Sequence, residues 1–256
     1  MNRKYRFKGG SRMKKTAIFL TSLLLFTSCS LFNESFNQKN SRIEIEEKKI
    51  INDLPQSASL ESWNLILVNP EKALEKNFKV NLTEVDNEQR VDDRIAKAWT
   101  DWREAASEAG HQLFLASAYR TIDRQKNNFN SDINEYINAG MTEEEAIEKT
   151  KEYLTEPGHS EHHTGLALDI VDNNWIKSGR RLETEYEGEA SQKWMIQTMS
   201  DYGFILRYPE GKENITNIEY EPWHFRYVGI EHAKFMEEHN LVLEEYLEWI
   251  SKVKEE

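Results

Sequence analysis

The run Leu166-Ala-Leu-Asp-Ile-Val171 sets the tightest limit on what this chain can fold into. Five of its six residues are apolar and Gly165 precedes it, which reads as a strand buried on both faces. Asp169 stands between Leu168 and Ile170 in that run. A carboxylate removed from water without partners is costly, so cations or hydrogen-bond donors must converge on this strand. A structural salt bridge meets that demand for an isolated Asp, and so does a bound metal. Which of the two applies depends on what else the chain brings to the same place.

The other elements follow from periodicity and punctuation. Trp63-Asn-Leu-Ile-Leu-Val-Asn-Pro70 predicts a short apolar strand ending in a turn. Val91, Ile95, Ala98, Trp102, Ala105 and Ala109 recur at helical steps, with Gly110 as C-cap. Gln112–Tyr119 reads as a buried strand ending at Arg120, and 122–139 as a polar helix closed by Gly140. Thr142 and Glu145 form a capping box for a helix running to about Tyr153. Further strands are expected at 204–208 and 223–228, and helices at 190–202, 230–239 and 242–253. Mixed helices and strands of this kind give an α+β fold: a single domain over 59–256, with a central, mainly antiparallel sheet flanked by helices.

The N-terminal part has a different character. Lys14 and Lys15 precede an apolar run from Thr16 to Phe26, then the small residues Thr27 and Ser28, then Cys29. This is the layout of a secretory signal, with an apolar run too short for a permanent membrane span. A cysteine after two small residues resembles a bacterial lipobox, although Phe26 stands where that pattern usually has Leu. The resemblance implies cleavage before Cys29, acylation of its sulfur, and an extracytoplasmic protein anchored to the cell membrane by lipid. Residues 1–28 are then a lipoprotein signal peptide and 29–58 a polar, flexible tether. Cys29 is the sole cysteine, so no intramolecular disulfide forms. The formal charge is -12, and removing the seven Lys/Arg of residues 1–28 leaves -19 on the rest. Nucleic acid is excluded as a partner, because phosphate binding needs clustered Lys and Arg.

Three segments carry candidate chemistry: Ser117-Ala-Tyr-Arg120, Ser160-Glu-His-His-Thr-Gly-Leu-Ala-Leu-Asp169, and Glu221-Pro-Trp-His224. Taken singly, His162 and His224 are ordinary structural histidines. Together with Asp169 they make two imidazoles and a carboxylate, a common catalytic zinc set that leaves one position for water. Glu221 is suited to accept a proton from that water, and Pro222 makes its segment a turn into a strand. Arg120, at a strand end, is placed to stabilise an oxyanion or to clamp a substrate carboxylate.

These segments resemble the VanY-type D-alanyl-D-alanine carboxypeptidases, within the lysostaphin, D-Ala-D-Ala-peptidase and hedgehog-like zinc peptidases. The pattern Ser-x-His-x-x-Gly-x-Ala-x-Asp is met by Ser160, His162, Gly165, Ala167 and Asp169. Glu-x-x-His is met by Glu221 and His224, and Ser-x-Tyr-Arg with a downstream Gln by Ser117, Tyr119, Arg120 and Gln125. The similarity runs in matching order from about Trp63 to Gly229. It implies zinc on His162, Asp169 and His224, Glu221 as general base, and Arg120 stabilising the tetrahedral intermediate. It also implies a pocket for a terminal D-Ala lined by Ser117, Tyr119, Gln125, Ser160 and Trp223. His163 stands where relatives often carry Gln and is not expected to bind zinc. His111, His159, His232 and His239 are expected to be structural or exposed. The stretch 122–154 is unusually long, and its helices are expected to roof the cleft. The implied activity is zinc-dependent removal of D-Ala from peptidoglycan stem peptides, by a chain expected to act as a monomer. Two alternatives stand beside it: an L,D-carboxypeptidase acting on tetrapeptide stems, and a non-catalytic wall-binding lipoprotein of the same fold.

Overall fold

The computed structural model describes residue 51 and residues 53–255. Cys29, the expected signal segment and residues 29–50 and 52 of the expected tether lie outside the described residues. Among these, six strands make two antiparallel sheets. β1 (Leu82–Glu84) and β2 (Arg90–Asp92) form a hairpin. β3 (Leu113–Ser117), β4 (Ala167–Asp172), β5 (Phe204–Leu206) and β6 (His224–Tyr227) form the main sheet, in the order β3-β4-β6-β5. β4 is an inner strand, and all of its residues but Asp172 are buried. That position explains why it reads as a nearly unbroken apolar run.

Eight helices accompany the sheets among the described residues: α1 (Ala96–Glu108), α2 (Ile122–Asn138), α3 (Glu143–Lys151), α4 (Asn173–Lys177), α5 (Ala190–Thr198), α6 (Glu213–Thr216), α7 (Ile230–Glu238) and α8 (Leu243–Glu255). One face of the main sheet receives α1. Trp102 stacks on Phe204 at 5.0 Å between centroids and meets Phe225 edge-on at 5.2 Å. Trp99, Leu115, Leu168, Ile170 and Met195 complete this core. Full burial of each large side chain contributes about 1.5–3 kcal/mol. The alternation of side chains leaves Asp169, His224 and Arg226 on the opposite face.

The capping box at the start of α3 is present as expected: Thr142 Oγ1 accepts from Glu145 N–H, and Glu145 accepts from Thr142 N–H at 2.9 Å. Two expectations need correction. Val91 is not the first residue of a helix but the middle of β2; a 3-10 turn, Asp93–Ile95, intervenes before α1. The Asp92 side chain accepts from Arg94 N–H and caps the turn there, and the Val91 side chain is buried from the strand. The hairpin carries no local signature in the sequence, because its turn residues, Asn87 and Glu88, adopt positive φ (53° and 61°) without the usual glycine. Residues 63–70 likewise form no ladder strand. Trp63–Leu65 is a 3-10 turn, and the carbonyls of Asn64 and Ile66 accept from Arg226 Nη2 at 3.1 and 2.8 Å.

Gly165 closes the 3-10 turn Glu161–Thr164 in the left-handed region (φ 74°) and hands the chain to β4. Its carbonyl accepts from Asp92 N–H at 3.0 Å, and a Cβ at this position would meet that nitrogen at 2.8 Å. Gly165→Ala combines a disfavoured φ with a backbone clash. It is expected to destabilise the fold by at least about 1–3 kcal/mol, read as a lower urea midpoint with an unchanged slope.

Candidate active site

Strand register assembles the centre. Ser117 on β3 faces Asp169 on β4, and Asp169 faces His224 on β6. Directly opposed residues share one side of a sheet. Asp169 Oδ1 therefore lies 3.0 Å from His224 Nδ1. The turn before β4 brings His162 from above, with Nε2 3.2 Å from Asp169 Oδ2. Among the described residues, His162, Asp169 and His224 form the one group of three potential ligands whose atoms all lie within 4.8 Å of one another.

The residues present fit a metal ion. His162 Nδ1 donates to the Ala118 carbonyl at 2.7 Å, which leaves Nε2 with its lone pair toward Asp169. Asp169 Oδ1 is buried and makes no well-formed hydrogen bond. Two imidazoles, one carboxylate and no thiol are a donor set that suits zinc.

Charges in this buried space shift one another. Burial pushes the Glu221 carboxyl up to about 8; Asp169 and Glu161 reinforce that, while His224 and Arg120 oppose it. Burial disfavours the imidazolium of His224, but Asp169, Glu161 and Glu221 outweigh it and raise the group to about 9. Burial, aided by Arg120, lowers His162 to about 4. Asp169 is held well below the usual carboxylate range, because His162 and His224 overcome its burial. Glu221 Oε2 lies 3.5 Å from His224 Nδ1, so its carboxylate approaches the same ring nitrogen that faces Asp169.

Arg120 is fixed from behind. Its Nη1 donates to Gln125 Oε1 at 2.8 Å and its Nη2 to Ser117 Oγ at 3.0 Å, while Gln125 donates to the Thr155 carbonyl at 2.6 Å. Arg120 Nη2 also reaches Asp169 Oδ2 at 3.4 Å, and its buried Nε has no partner. Arg120, Ser160, His162, Asp169, Glu221, Trp223 and His224 line a cavity of about 200 Å³. A neighbouring groove of about 390 Å³ shares Asp132, Tyr153, Leu182 and Trp223 with it. Asp132 from α2 and Tyr153, just beyond α3, form part of one wall, so the long segment after Arg120 does border the cleft.

Not every expected pocket residue reaches the cavity. Ser160 and Trp223 line it; Ser117 and Gln125 do not, and act on it through Arg120. Tyr119 is also absent from its walls; its ring lies under the Arg90 guanidinium at 5.6 Å. His163 is occupied by backbone: Nδ1 meets the Arg120 carbonyl at 2.6 Å, and Nε2 accepts from Gly158 N–H at 3.1 Å. Sequence reasoning missed Tyr208 and Glu161, both lining residues. Glu161 stands inside the histidine motif, but its partners Arg207 and Arg226 are far away in sequence and nothing local announces them.

A family model described as VanY, D-alanyl-D-alanine carboxypeptidase, matches residues 88–230. The putative carboxypeptidase YodJ of Bacillus subtilis is 35% identical over 232 residues, covering 85% of this chain and 80% of that protein. Among solved structures, a zinc-bound mutant of the vancomycin resistance D,D-pentapeptidase VanY, from a VanB-type resistance cassette, superposes with a TM-score of 0.65 at 35% identity. That match covers 73% of this chain and 99% of the other. The LD-carboxypeptidase LdcB gives 0.62 at 36% identity, covering 73% and 86%.

The raised groups make metal uptake pH-dependent. His224 must be neutral to bind a metal, yet it holds its proton up to about 9. Zinc binding at pH 7 is expected to release protons, and zinc affinity to climb from pH 6 until pH passes that value. Calorimetry in buffers of different ionisation heat measures the release; an affinity flat from pH 6 to 9 would contradict it.

Proposed function

The chain belongs to the VanY family of D-alanyl-D-alanine carboxypeptidases and is a zinc metallo-carboxypeptidase; from that premise we propose that it removes the terminal D-Ala from peptidoglycan stem peptides ending in D-Ala-D-Ala. The observation that carries this reading is the convergence of His162, Asp169, His224, Glu221 and Arg120 on one small cavity. A degenerate, merely wall-binding relative would have no need to retain Glu221 beside the triad.

In this reading His162, Asp169 and His224 hold the zinc. Bound zinc supplies Lewis acidity, polarising a carbonyl oxygen and acidifying water so that it attacks at neutral pH. Glu221 takes the proton from the attacking water and passes it to the amine of the departing D-Ala. A proton affinity raised by burial suits it to both transfers. Arg120, held by Ser117 and Gln125 beside Asp169, offers its guanidinium to the negative charge that develops on the carbonyl oxygen. Ser160 and Trp223 border the end residue, and the larger groove receives the preceding part of the peptide. No covalent intermediate is required.

The likeness to LdcB supports a second reading, release of D-Ala from a tetrapeptide by the same groups. Assays with muramyl pentapeptide and tetrapeptide separate the two. D-Ala release from pentapeptide is expected, abolished by a chelator and restored by zinc. Glu221→Gln is expected to lower kcat by at least about 100-fold with zinc still bound. Release from tetrapeptide alone would change the substrate and keep the chemistry; release from neither by a zinc-loaded protein would remove the enzymatic reading.

We place the catalytic domain outside the cell on a lipid at Cys29, on the strength of the leader and the small residues before that cysteine. Cys29→Ser is expected to move the protein from the membrane fraction to the soluble secreted fraction, measured by immunoblot.

A further inference from the structure

Glu161 opens the turn that carries His162 and is completely shielded from solvent. Its Oε1 accepts from Arg207 Nε at 2.8 Å and from Arg226 Nη1 at 2.6 Å. Its Oε2 makes no hydrogen bond. That oxygen stands 3.6 Å from His224 Nε2, which is also buried and also without a partner. Two orphaned polar atoms thus face each other across a gap less than an ångström beyond hydrogen-bond length. They lie behind the imidazole, on the side opposite the Nδ1 that faces Asp169.

A neutral imidazole carries one N–H. If Nδ1 gives its lone pair to zinc, Nε2 must bear the hydrogen, and Glu161 Oε2, 3.6 Å away and itself without a partner, is placed to accept it. We propose that Glu161 is a positioning residue: it accepts the Nε2–H of His224, fixes the tautomer that presents Nδ1 to zinc, and strengthens that nitrogen as a donor. The inference rests on the reading above that His224 is a zinc ligand.

The surroundings keep Glu161 in the required state. Arg207 and Arg226 both donate to its Oε1, so two buried guanidinium groups match its charge and leave Oε2 free to face the ring. Each arginine is pinned in turn: Arg207 by the two oxygens of Glu244 at 2.9 and 2.7 Å, Arg226 by the carbonyls of Asn64 and Ile66. Glu161 cannot swing away without leaving both guanidinium groups short of a partner. Metal-bound histidines commonly lean on a carboxylate in this way, and removing it weakens metal binding about 10- to 100-fold.

The rival role is purely structural, the neutralisation of two buried arginines. Glu244→Gln separates the two, because it removes a carboxylate from Arg207 without touching His224. Zinc affinity of the metal-free proteins, by competition with a chromophoric chelator, and thermal stability are to be measured for five proteins: the parent, Glu161→Gln, Glu161→Asp, Glu244→Gln and His224→Ala. Glu161→Gln leaves one acceptor oxygen for the arginines and His224 together, and Glu161→Asp keeps the charge but withdraws the oxygen from the ring. Both are expected to bind zinc about 10- to 100-fold more weakly, with Glu244→Gln within about threefold of the parent despite its lower melting temperature. Parent-like zinc affinity in a folded Glu161 variant, or an equal loss in Glu244→Gln, would overturn the proposal. Parent-like affinity in His224→Ala would instead overturn the ligand assignment beneath it. Should neither Glu161 variant fold, the Nε2–H proton resonance of His224 in the zinc-loaded parent decides: a strong downfield shift, as for a hydrogen bond to a carboxylate, is expected, and an unshifted resonance overturns the proposal.

Discussion

Asp169 is 3% exposed and lies between two paired strands, so its charge has to be matched where water does not reach. The surrounding structure brings a cation, a proton donor and a further metal ligand to it from three directions. β6 delivers His224 by register, the turn closed by Gly165 delivers His162, and the end of β3 delivers Arg120. Had β6 paired with β4 one residue out of step, its side chains would have exchanged faces, and His224 would have entered the tryptophan core. The pairing that packs Phe225 against Trp102 therefore also aims His224 at Asp169.

The same sheet thus serves two solvents. On one face the side chains are apolar and aromatic. On the other, Glu161, Arg207, Arg226 and Glu244 form a dry ionic layer beneath the catalytic groups. Buried ion pairs contribute little net stability against apolar replacements, but losing one member leaves a stranded charge. Their value here is geometric, since each guanidinium ties together segments distant in sequence.

Much of this was legible in the chain. The Asp within an apolar run, the paired histidine segments and Glu221 were found from residue chemistry, and the resemblance they carried led to the family. The long helices and the capping box followed from spacing and end signals. The β1–β2 hairpin was hidden because Asn87-Glu88 turns without glycine, and Val91 satisfied a helical pattern while belonging to a strand. The resemblance implies a place for Ser117 and Gln125 in the pocket, because a motif shows proximity but not orientation. In the folded chain they brace Arg120 instead. Glu161 was invisible for the opposite reason, since its meaning lies in Arg207 and Arg226, which no local pattern connects to it.

The register that joins β3, β4 and β6 draws residues from segments about fifty positions apart, Ser117, Asp169 and His224. The chain has to close the long loop between Asp169 and His224 before the third ligand arrives, and an unfolded or half-folded molecule offers no complete set. Zinc consequently binds the finished fold and ignores its precursors. By mass action, free metal at a thousand times its dissociation constant adds about 4 kcal/mol to the folding equilibrium. For this protein the supply of zinc raises stability as well as serving turnover, and metal scarcity would shorten its lifetime against proteolysis as well as silence it.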